Sequence, residues 1–265
     1  MVIGTGQVTN DTGNVVEPAY GLLKSGDYIQ TVDGEDLEDK NDLVDAVSAS
    51  DGKTLALGIR RDGRRIEVDM TPVLAEDGSY KLGAWVRDDT QGIGTMTFLD
   101  EELHFGALGH GINDTDTGEL LQLGSGLLYH TEIVAIRKGE RGTPGELTGI
   151  IEYQPEQVSG VIMSNTEEGI YGVASQAFAD SITTQALPVG LKQDVKEGDA
   201  QILCNIDGQT KYYDVRITRL MPNAENLNRQ IALTVTDEEL LQLTGGIVQG
   251  MSGAPIIQDL SLIHI

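Results

Sequence analysis

A serine lies between glycines near the end of the chain. Residues 250–255 read Gly-Met-Ser-Gly-Ala-Pro, so Ser252 has a glycine two positions before it and another directly after it. This spacing lets the backbone turn sharply and present the hydroxyl outward as a nucleophile. The N–H groups of Gly250 and Ser252 then point at one spot and form an oxyanion hole. The pattern indicates acyl transfer at Ser252, and the alternative is a glycine-rich turn with a bystander serine.

A serine nucleophile needs a general base, and the chain contains four histidines. His110 follows small residues and precedes a polar turn, where an imidazole can reach a cleft with its ring free. His104 lies among acidic residues and His130 lies beside a predicted strand, so both are interpreted as surface histidines. His264 belongs to the C-terminal tail. We therefore predict His110 as the base, with a purely structural histidine as the alternative.

A base of this kind is usually held by a carboxylate that fixes its tautomer. Asp114 and Asp116 follow His110 closely, and Asp237 follows a predicted strand and lies upstream of Ser252. Local spacing does not choose among the three carboxylates. Asp114 and Asp116 could equally cap a turn, and Asp237 is well placed to N-cap a helix predicted over 238–243.

Residues 1–73 are predicted to form one module with the order strand, turn, helix and hairpin. Asn41 can cap the helix, Leu43 and Val47 lie on its apolar stripe, and an Asp-Gly turn at 62–63 closes the hairpin. The string L-K-x-G-D-x-I-x-x-V-D-G, which begins at Leu23, resembles PDZ domains of bacterial proteases.

That resemblance implies a groove that binds a peptide C-terminus as an added strand. Val2 and Ile3 would lie in or near the receiving strand, and Leu43 and Val47 would line the groove. The loop that holds the peptide carboxylate is expected upstream of Met1, so the module is predicted to be incomplete at its N-terminus. A PDZ-like spacer that only positions the next domain is the alternative.

Residues 74–91 are predicted to be a polar connector, and 92–259 a second, mainly β domain. Short apolar segments separated by turns favour a barrel or sandwich over helices. The predicted strands are 95–98, 133–136, 149–153, 161–163, 202–206, 212–218 and 231–236.

Composition excludes several classes of function. The formal net charge of −24 repels polyanions, so nucleic acid is not an expected partner. A single cysteine, Cys204, forms neither an internal disulfide nor a zinc site, so we predict a small buried side chain there and no metal or cofactor. Neither a membrane span nor a signal peptide is visible in these residues.

Segments of the second domain resemble a known family. Residues 250–255 resemble the G-D-S-G-G-P signature of trypsin-like proteases. Four segments resemble the stage IV sporulation protein B peptidases of spore-forming Firmicutes, namely 92–98, 106–110, 236–241 and 245–253. Ala254 stands where a serine is expected in that family. The resemblance implies a PDZ domain followed by a chymotrypsin-like double β-barrel. It also implies a triad of His110, Asp237 and Ser252.

The resemblance further implies a sporulation signalling endopeptidase, exported from the forespore into the intermembrane space. Such an enzyme is anchored by an N-terminal membrane segment, and cleaves itself and a regulator of an intramembrane protease. The consequence is activation of a mother-cell sigma factor. The alternatives are a non-catalytic scaffold that binds a membrane partner, and a general exported degradative serine protease.

The C-terminal residues differ from the family pattern. A chymotrypsin-like fold places further strands after its nucleophile, and few residues follow Ser252 here. We therefore expect a truncated second barrel, a non-native tail at 260–265 and little activity from the 265-residue chain as written.

Overall fold

Strands dominate the computed structural model, which describes residues 1–222 and 230–263. The chain divides into two compact units. The first unit comprises Met1–Gln91 with Asn113–Glu119, and the second comprises Gly92–Ile112 with Leu120–Ile265. The predicted mainly β class is confirmed and is consistent with a chymotrypsin-like β fold. The PDZ-like identity of the N-terminal residues stays a prediction.

The first unit contains ten short strands and one helix among its described residues. They are β1 (Val2–Thr5), β2 (Val8–Thr9), β3 (Val15–Val16), β4 (Tyr28–Val32), β5 (Glu35–Asp36), α1 (Lys40–Ala49), β6 (Leu55–Arg61), β7 (Arg64–Met70), β8 (Val73–Leu74), β9 (Tyr80–Lys81) and β10 (Ala84–Val86). The largest sheet has the order β5-β4-β6-β7, and β1 pairs with β10. The predicted hairpin corresponds to β6 and β7, whose register closes at Arg61 and Arg64.

The N-cap of helix α1 lies earlier in the sequence than predicted. Asp39, not Asn41, is the N-cap, and its carboxylate accepts hydrogen bonds from the N–H groups of Asn41 and Asp42. Leu43 and Val47 are buried on the face of the helix that packs into the core. A local cap motif thus sets the start of the helix, and the apolar stripe sets its face.

The residues assigned to a peptide groove lie mainly in this core. Val2, Leu43 and Val47 belong to the buried cluster of the first unit, whereas Ile3 is partly exposed. Apolar side chains at these positions exclude water from the domain interior, which accounts for their residue types without a ligand. The groove therefore stays a prediction.

Residues 74–91 are not a plain connector. They contain β9 and β10, and Val2 of β1 pairs with Val86 of β10. Leu82 is buried in the same core. Although this stretch is mostly polar, a few of its side chains face inward and pack in the core of the first unit.

The second unit contains twelve strands and two α-helices among the residues that the structure describes. They are β11 (Phe98–Leu99), β12 (His104–Leu108), β13 (Gly126–Tyr129), β14 (Thr131–Arg137), β15 (Glu146–Ile151), β16 (Val158–Thr166), β17 (Gly169–Ala174), α2 (Gln176–Ser181), β18 (Gly198–Asn205), β19 (Thr210–Leu220), β20 (Ile231–Val235), α3 (Glu238–Thr244), β21 (Ile256–Gln258) and β22 (Ser261–Leu262).

Two five-stranded antiparallel sheets form the framework of the second unit. Their strand orders are β11-β12-β17-β16-β13 and β20-β19-β18-β21-β22, and β14 and β15 form a separate hairpin. The core of the unit is built on the second sheet, where Ile202, Tyr213 and Val215 are almost fully buried. The first sheet carries His110 just beyond the end of β12, and the second sheet leads through β20 and α3 to Ser252.

The C-terminal tail predicted at 260–265 contributes to the second sheet. It contains β22, whose Leu262 pairs with Ile257 of β21, and Ile263 is buried in the core of the unit. His264 and Ile265 lie outside the described residues.

Cys204 lies on β18 within that core. Burial in apolar surroundings raises the pKa of its thiol to about 12, so the side chain stays a neutral hydrophobic group. Within residues 1–222 and 230–263, none of the helices has the length and apolar character needed to traverse a bilayer.

Candidate active site

The loop that carries Ser252 depends on two glycines with left-handed backbone. Gly250 has a φ of 98° and Gly253 a φ of 93°, and the Ala254 N–H closes a turn onto the Met251 carbonyl at 3.0 Å. A Cβ atom on Gly253 would lie 1.9 Å from the Thr95 carbonyl oxygen. Glycine is therefore needed at 253 both for its backbone conformation and for the close approach of a neighbouring chain segment.

His110 and Ser252 meet through a direct hydrogen bond. The distance from His110 Nε2 to Ser252 Oγ is 2.9 Å, although the two residues are 142 positions apart in sequence. Both residues are exposed, so a substrate carbonyl can reach the hydroxyl. The sequence assigned the base and nucleophile to these positions, and the structure brings those two side chains together.

The protonation pattern of the imidazole follows from its other contact. His110 Nδ1 lies 2.8 Å from the Gly111 carbonyl oxygen, which can only accept a hydrogen bond. Nδ1 must therefore carry the proton, and in the neutral ring Nε2 is left as an acceptor. The Ser252 hydroxyl then donates to Nε2, which is the arrangement that general-base catalysis requires.

A threonine pair holds the Ser252 loop from the side of the first sheet. Thr95 N–H donates to the Ser252 carbonyl at 2.8 Å, and Thr95 Oγ1 donates to the Gly250 carbonyl at 3.2 Å. Thr97 Oγ1 donates to the Gly253 carbonyl at 2.7 Å. Three carbonyls of the loop are thus held by one short segment.

Thr97 also contacts the strand that leads to His110. Its buried hydroxyl accepts a hydrogen bond from the Leu108 N–H at 2.9 Å. Sequence reasoning treated 95–98 as an ordinary strand and missed this role. The available signal was the pair of hydroxyl side chains at alternate positions, which places both on one face of an extended segment.

The two backbone amides predicted to form the oxyanion hole have no internal acceptor. In the described part of the chain, neither the Gly250 N–H nor the Ser252 N–H donates a hydrogen bond to a protein atom. The carbonyls of both residues are engaged by Thr95. The amides are therefore available to an incoming oxygen atom.

Asp237 does not supply the acceptor for His110 Nδ1. Its carboxylate caps α3 by accepting the Leu240 N–H at 2.9 Å, and it also accepts the Asp214 N–H at 3.3 Å. The role of Asp237 as the carboxylate that orients His110, which the family resemblance implies, therefore stays a prediction. The cap position, which the sequence had left open as an alternative, satisfies backbone donors that the start of a helix otherwise leaves unpaired.

The other two candidate carboxylates are also engaged elsewhere. Asp114 and Asp116 each lie 2.7 Å from a different guanidinium nitrogen of Arg87, within the first unit. Asp114 is buried and accepts two backbone N–H groups as well, from Asp116 and Thr117. Both aspartates therefore belong to a turn that is held by backbone hydrogen bonds and by ion pairs with Arg87.

One group of side chains has the composition of a metal site. Asp100, Glu102 and His104 place ligand atoms within 4.8 Å of one another, and all three are exposed. Asp100 accepts the backbone N–H of both Glu102 and His104, and lies 3.2 Å from His104 Nδ1. A capped turn accounts for this arrangement, and we assign no metal to it.

The site combines a serine hydroxyl, an imidazole that can accept its proton and two unpaired backbone amides. These are the groups that serine peptidases use, and here a mainly β unit carries them. The chain belongs to the SpoIVB peptidase S55 family, whose model matches residues 78–265. The resemblance drawn from its motifs is therefore confirmed.

Curated relatives match shorter stretches. "Putative zinc metalloprotease LL2128" of Lactococcus lactis subsp. lactis (strain IL1403) is 40% identical over 83 residues, which cover 30% of this chain and 19% of that protein. Regulator of sigma-W protease RasP of Bacillus subtilis (strain 168) is 34% identical over 76 residues, which cover 29% of this chain and 17% of that protein. The chain thus spans less than a fifth of either relative.

Proposed function

We propose that this protein is a serine endopeptidase with Ser252 as nucleophile and His110 as general base. The observation that carries the proposal is the 2.9 Å hydrogen bond between His110 Nε2 and an exposed Ser252 hydroxyl. Family membership supplies the peptidase class, and this contact supports the catalytic type.

The reaction proceeds through an acyl-enzyme. Ser252 Oγ attacks the scissile carbonyl carbon while its proton passes to His110 Nε2, and the carbonyl electron pair moves onto oxygen. The N–H groups of Gly250 and Ser252 stabilise that oxyanion. His110 then returns the proton to the leaving amine and the C–N bond breaks. Water, deprotonated by His110, attacks the acyl group, and the proton returns to Ser252 Oγ as the ester bond breaks.

The biological role that we propose is proteolytic signalling during sporulation, as the family implies. The substrates would be the protein itself and a regulator of an intramembrane protease, and the outcome would be activation of a mother-cell sigma factor. The site of action would be the forespore intermembrane space, with the full-length protein anchored in a membrane.

A fluorophosphonate probe tests the catalytic type, because it reacts only with an activated serine. The protein is expressed from its complete reading frame, and labelling rates are compared with those of Ser252→Ala and His110→Gln. We expect no labelling of Ser252→Ala and a loss of about 10³-fold or more for His110→Gln. Ser181→Ala, which removes another exposed hydroxyl of the same unit, should label like the wild type.

Labelling that persists in Ser252→Ala would refute the assignment of the nucleophile, and a complete lack of labelling in the wild type would favour the non-catalytic scaffold. A second assay separates signalling from degradation. Wild-type enzyme is mixed with excess Ser252→Ala protein or with unfolded casein. We expect a few defined fragments from the variant and slow cleavage of casein, whereas rapid general digestion of casein would favour the degradative alternative.

A further inference from the structure

We propose that Gly145 and Leu147 are positioning residues for the oxyanion hole and hold the Gly250 amide in place through their own backbone groups. Both residues lie where the β14–β15 hairpin turns into β15. The inference deepens the proposed serine mechanism and rests on it. It arises because the two proposed oxyanion donors, the N–H groups of Gly250 and Ser252, are held in different ways.

The Ser252 amide is held within its own turn. The direction of an N–H group is set by the carbonyl at the other end of the same planar peptide group. For the Ser252 N–H that carbonyl belongs to Met251, and it accepts the Ala254 N–H at 3.0 Å. The loop around the nucleophile therefore fixes this donor by itself.

The Gly250 amide is held by a distant strand. The carbonyl of its peptide group belongs to Gln249 and accepts the Leu147 N–H at 2.9 Å. The Gln249 N–H in turn donates to the Gly145 carbonyl at 2.9 Å. These two bonds make a parallel bridge between Gln249 and Glu146, the first residue of β15. The direction of the Gly250 N–H therefore depends on β15.

The Leu147 side chain packs against the Gly250 backbone. Leu147 is buried, and a Cβ atom at Gly250 would lie 3.0 Å from Leu147 Cβ. The φ of 98° at Gly250 is a conformation that glycine adopts readily. Because glycine also lets the adjoining peptide group rotate at little steric cost, the two bonds from β15 keep its N–H, and not the Gln249 carbonyl, turned toward the proposed oxyanion position.

The turn of the hairpin is anchored beside the end of α3. The Gly139 N–H donates to the Thr244 carbonyl at 2.8 Å, and a Cβ atom at Gly245 would lie 2.5 Å from the Gly139 carbonyl oxygen. A Cβ atom at Gly145 would lie 2.2 Å from the Arg137 carbonyl oxygen and 2.5 Å from the Gly139 nitrogen. A side chain at position 145 would therefore displace the start of β15.

Two pairs of variants test the proposal in protein expressed from the complete reading frame. In the first pair, Gly145→Ala moves the hairpin. Gly142→Ala is its control, because a Cβ atom at Gly142, in the same turn, would meet nothing within 4 Å. In the second pair, the α-hydroxy analogue of leucine replaces Leu147, which exchanges one N–H for an ester oxygen. The same replacement at Leu103, whose N–H donates to the Asp100 carbonyl at 3.1 Å, is the control.

The kcat and KM for a peptide substrate are measured, together with amide hydrogen exchange at Gln249. For the ester at Leu147 we expect kcat to fall about 2- to 10-fold with KM nearly unchanged, the range for one backbone hydrogen bond. Gly145→Ala disturbs both bonds, so exchange at Gln249 should be faster. Its loss of kcat should approach the factor of about 10²–10³ for a missing oxyanion donor. Both controls should keep nearly the wild-type kcat.

The proposal is overturned if folded Gly145→Ala protein keeps the wild-type kcat, or if the ester at Leu103 lowers kcat as much as the ester at Leu147. Should Gly145→Ala fail to fold, the ester at Leu147 decides, and a wild-type kcat in that protein contradicts the proposal. Failure of the serine mechanism is recognised separately, by labelling that persists in Ser252→Ala. Exchange at Gln249 still reports on the hairpin in that case.

Discussion

The hydroxyl of Thr97 donates a 2.7 Å hydrogen bond to the carbonyl of Gly253. The same oxygen accepts the N–H of Leu108, which lies shortly before the proposed base in sequence. A single buried side chain therefore ties the backbone beside the proposed base to the backbone beside the proposed nucleophile. We therefore expect Thr97 to help hold His110 and Ser252 close together.

Replacement of Thr97 by valine should loosen that connection while keeping side-chain volume. One buried and one partly buried backbone group lose their partner, so we expect local stability to fall by about 1–3 kcal/mol and labelling of Ser252 to slow. Amide hydrogen exchange around Leu108 and Gly253 measures the stability. Thr97→Ser keeps the hydroxyl and should stay near the wild type, and equal exchange in Thr97→Val would show that the bonds contribute nothing.

Gly253→Ala should be far more damaging than alanine at another left-handed glycine. Gly208 has a φ of 87°, and a Cβ atom added there would meet nothing within 4 Å, so Gly208→Ala measures backbone strain alone, about 1–2 kcal/mol. At Gly253 the added atom also meets the Thr95 carbonyl, so we expect a larger fall in Tm and loss of labelling. Similar Tm values for the two variants would contradict the geometry of this loop.

The Asp237→Asn variant distinguishes two possible roles of this residue. Asp237 either only caps helix α3 or also orients the proposed base. Asparagine caps helices as well as aspartate does, so a role as a cap alone predicts nearly unchanged stability and no more than a few-fold change in kcat. A carboxylate that orients the base would instead lose about 10⁴-fold on the same replacement. Steady-state hydrolysis decides between them, and Asp237→Ala should cost about 1 kcal/mol of stability through loss of the cap.

Asp114 should make the stability of the first unit depend on pH. Its burial by itself raises the pKa of the carboxyl, but hydrogen bonds from the Thr117 and Asp116 N–H groups and the charge of Arg87 outweigh burial, so the pKa lies below its ordinary value. The stabilisation is then fully present above the unfolded-state pKa of about 4 and is lost as pH falls through the lower folded-state pKa.

Urea unfolding of wild type and Asp114→Asn measures this effect. Trp85 is the single tryptophan of the chain and lies in the first unit, so its fluorescence reports on that unit. We expect the wild type to be more stable at pH 6 and the difference to shrink toward pH 2, because protonated aspartate resembles asparagine. A difference that stays constant with pH would show that the ionised carboxylate is not the source.

Several features of this protein follow from local sequence. The glycines around Ser252 are required by positive φ angles, the hairpin of β6 and β7 follows its Asp-Gly turn, and α3 begins where an aspartate precedes it. Each of these depends on residues within a few positions of one another. Local chemistry is enough to predict them.

Tertiary structure decided what contacts the proposed base. The acceptor for His110 is a main-chain carbonyl, a group that every residue carries, so no residue type in the sequence marks it. Thr97 is an ordinary polar residue until the segment before β11 brings it beside the backbone of a distant loop. Sequence spacing identified the side chains proposed to react. Only the fold determines which neighbours hold them, because hydrogen bonds between distant segments depend on how the strands are paired.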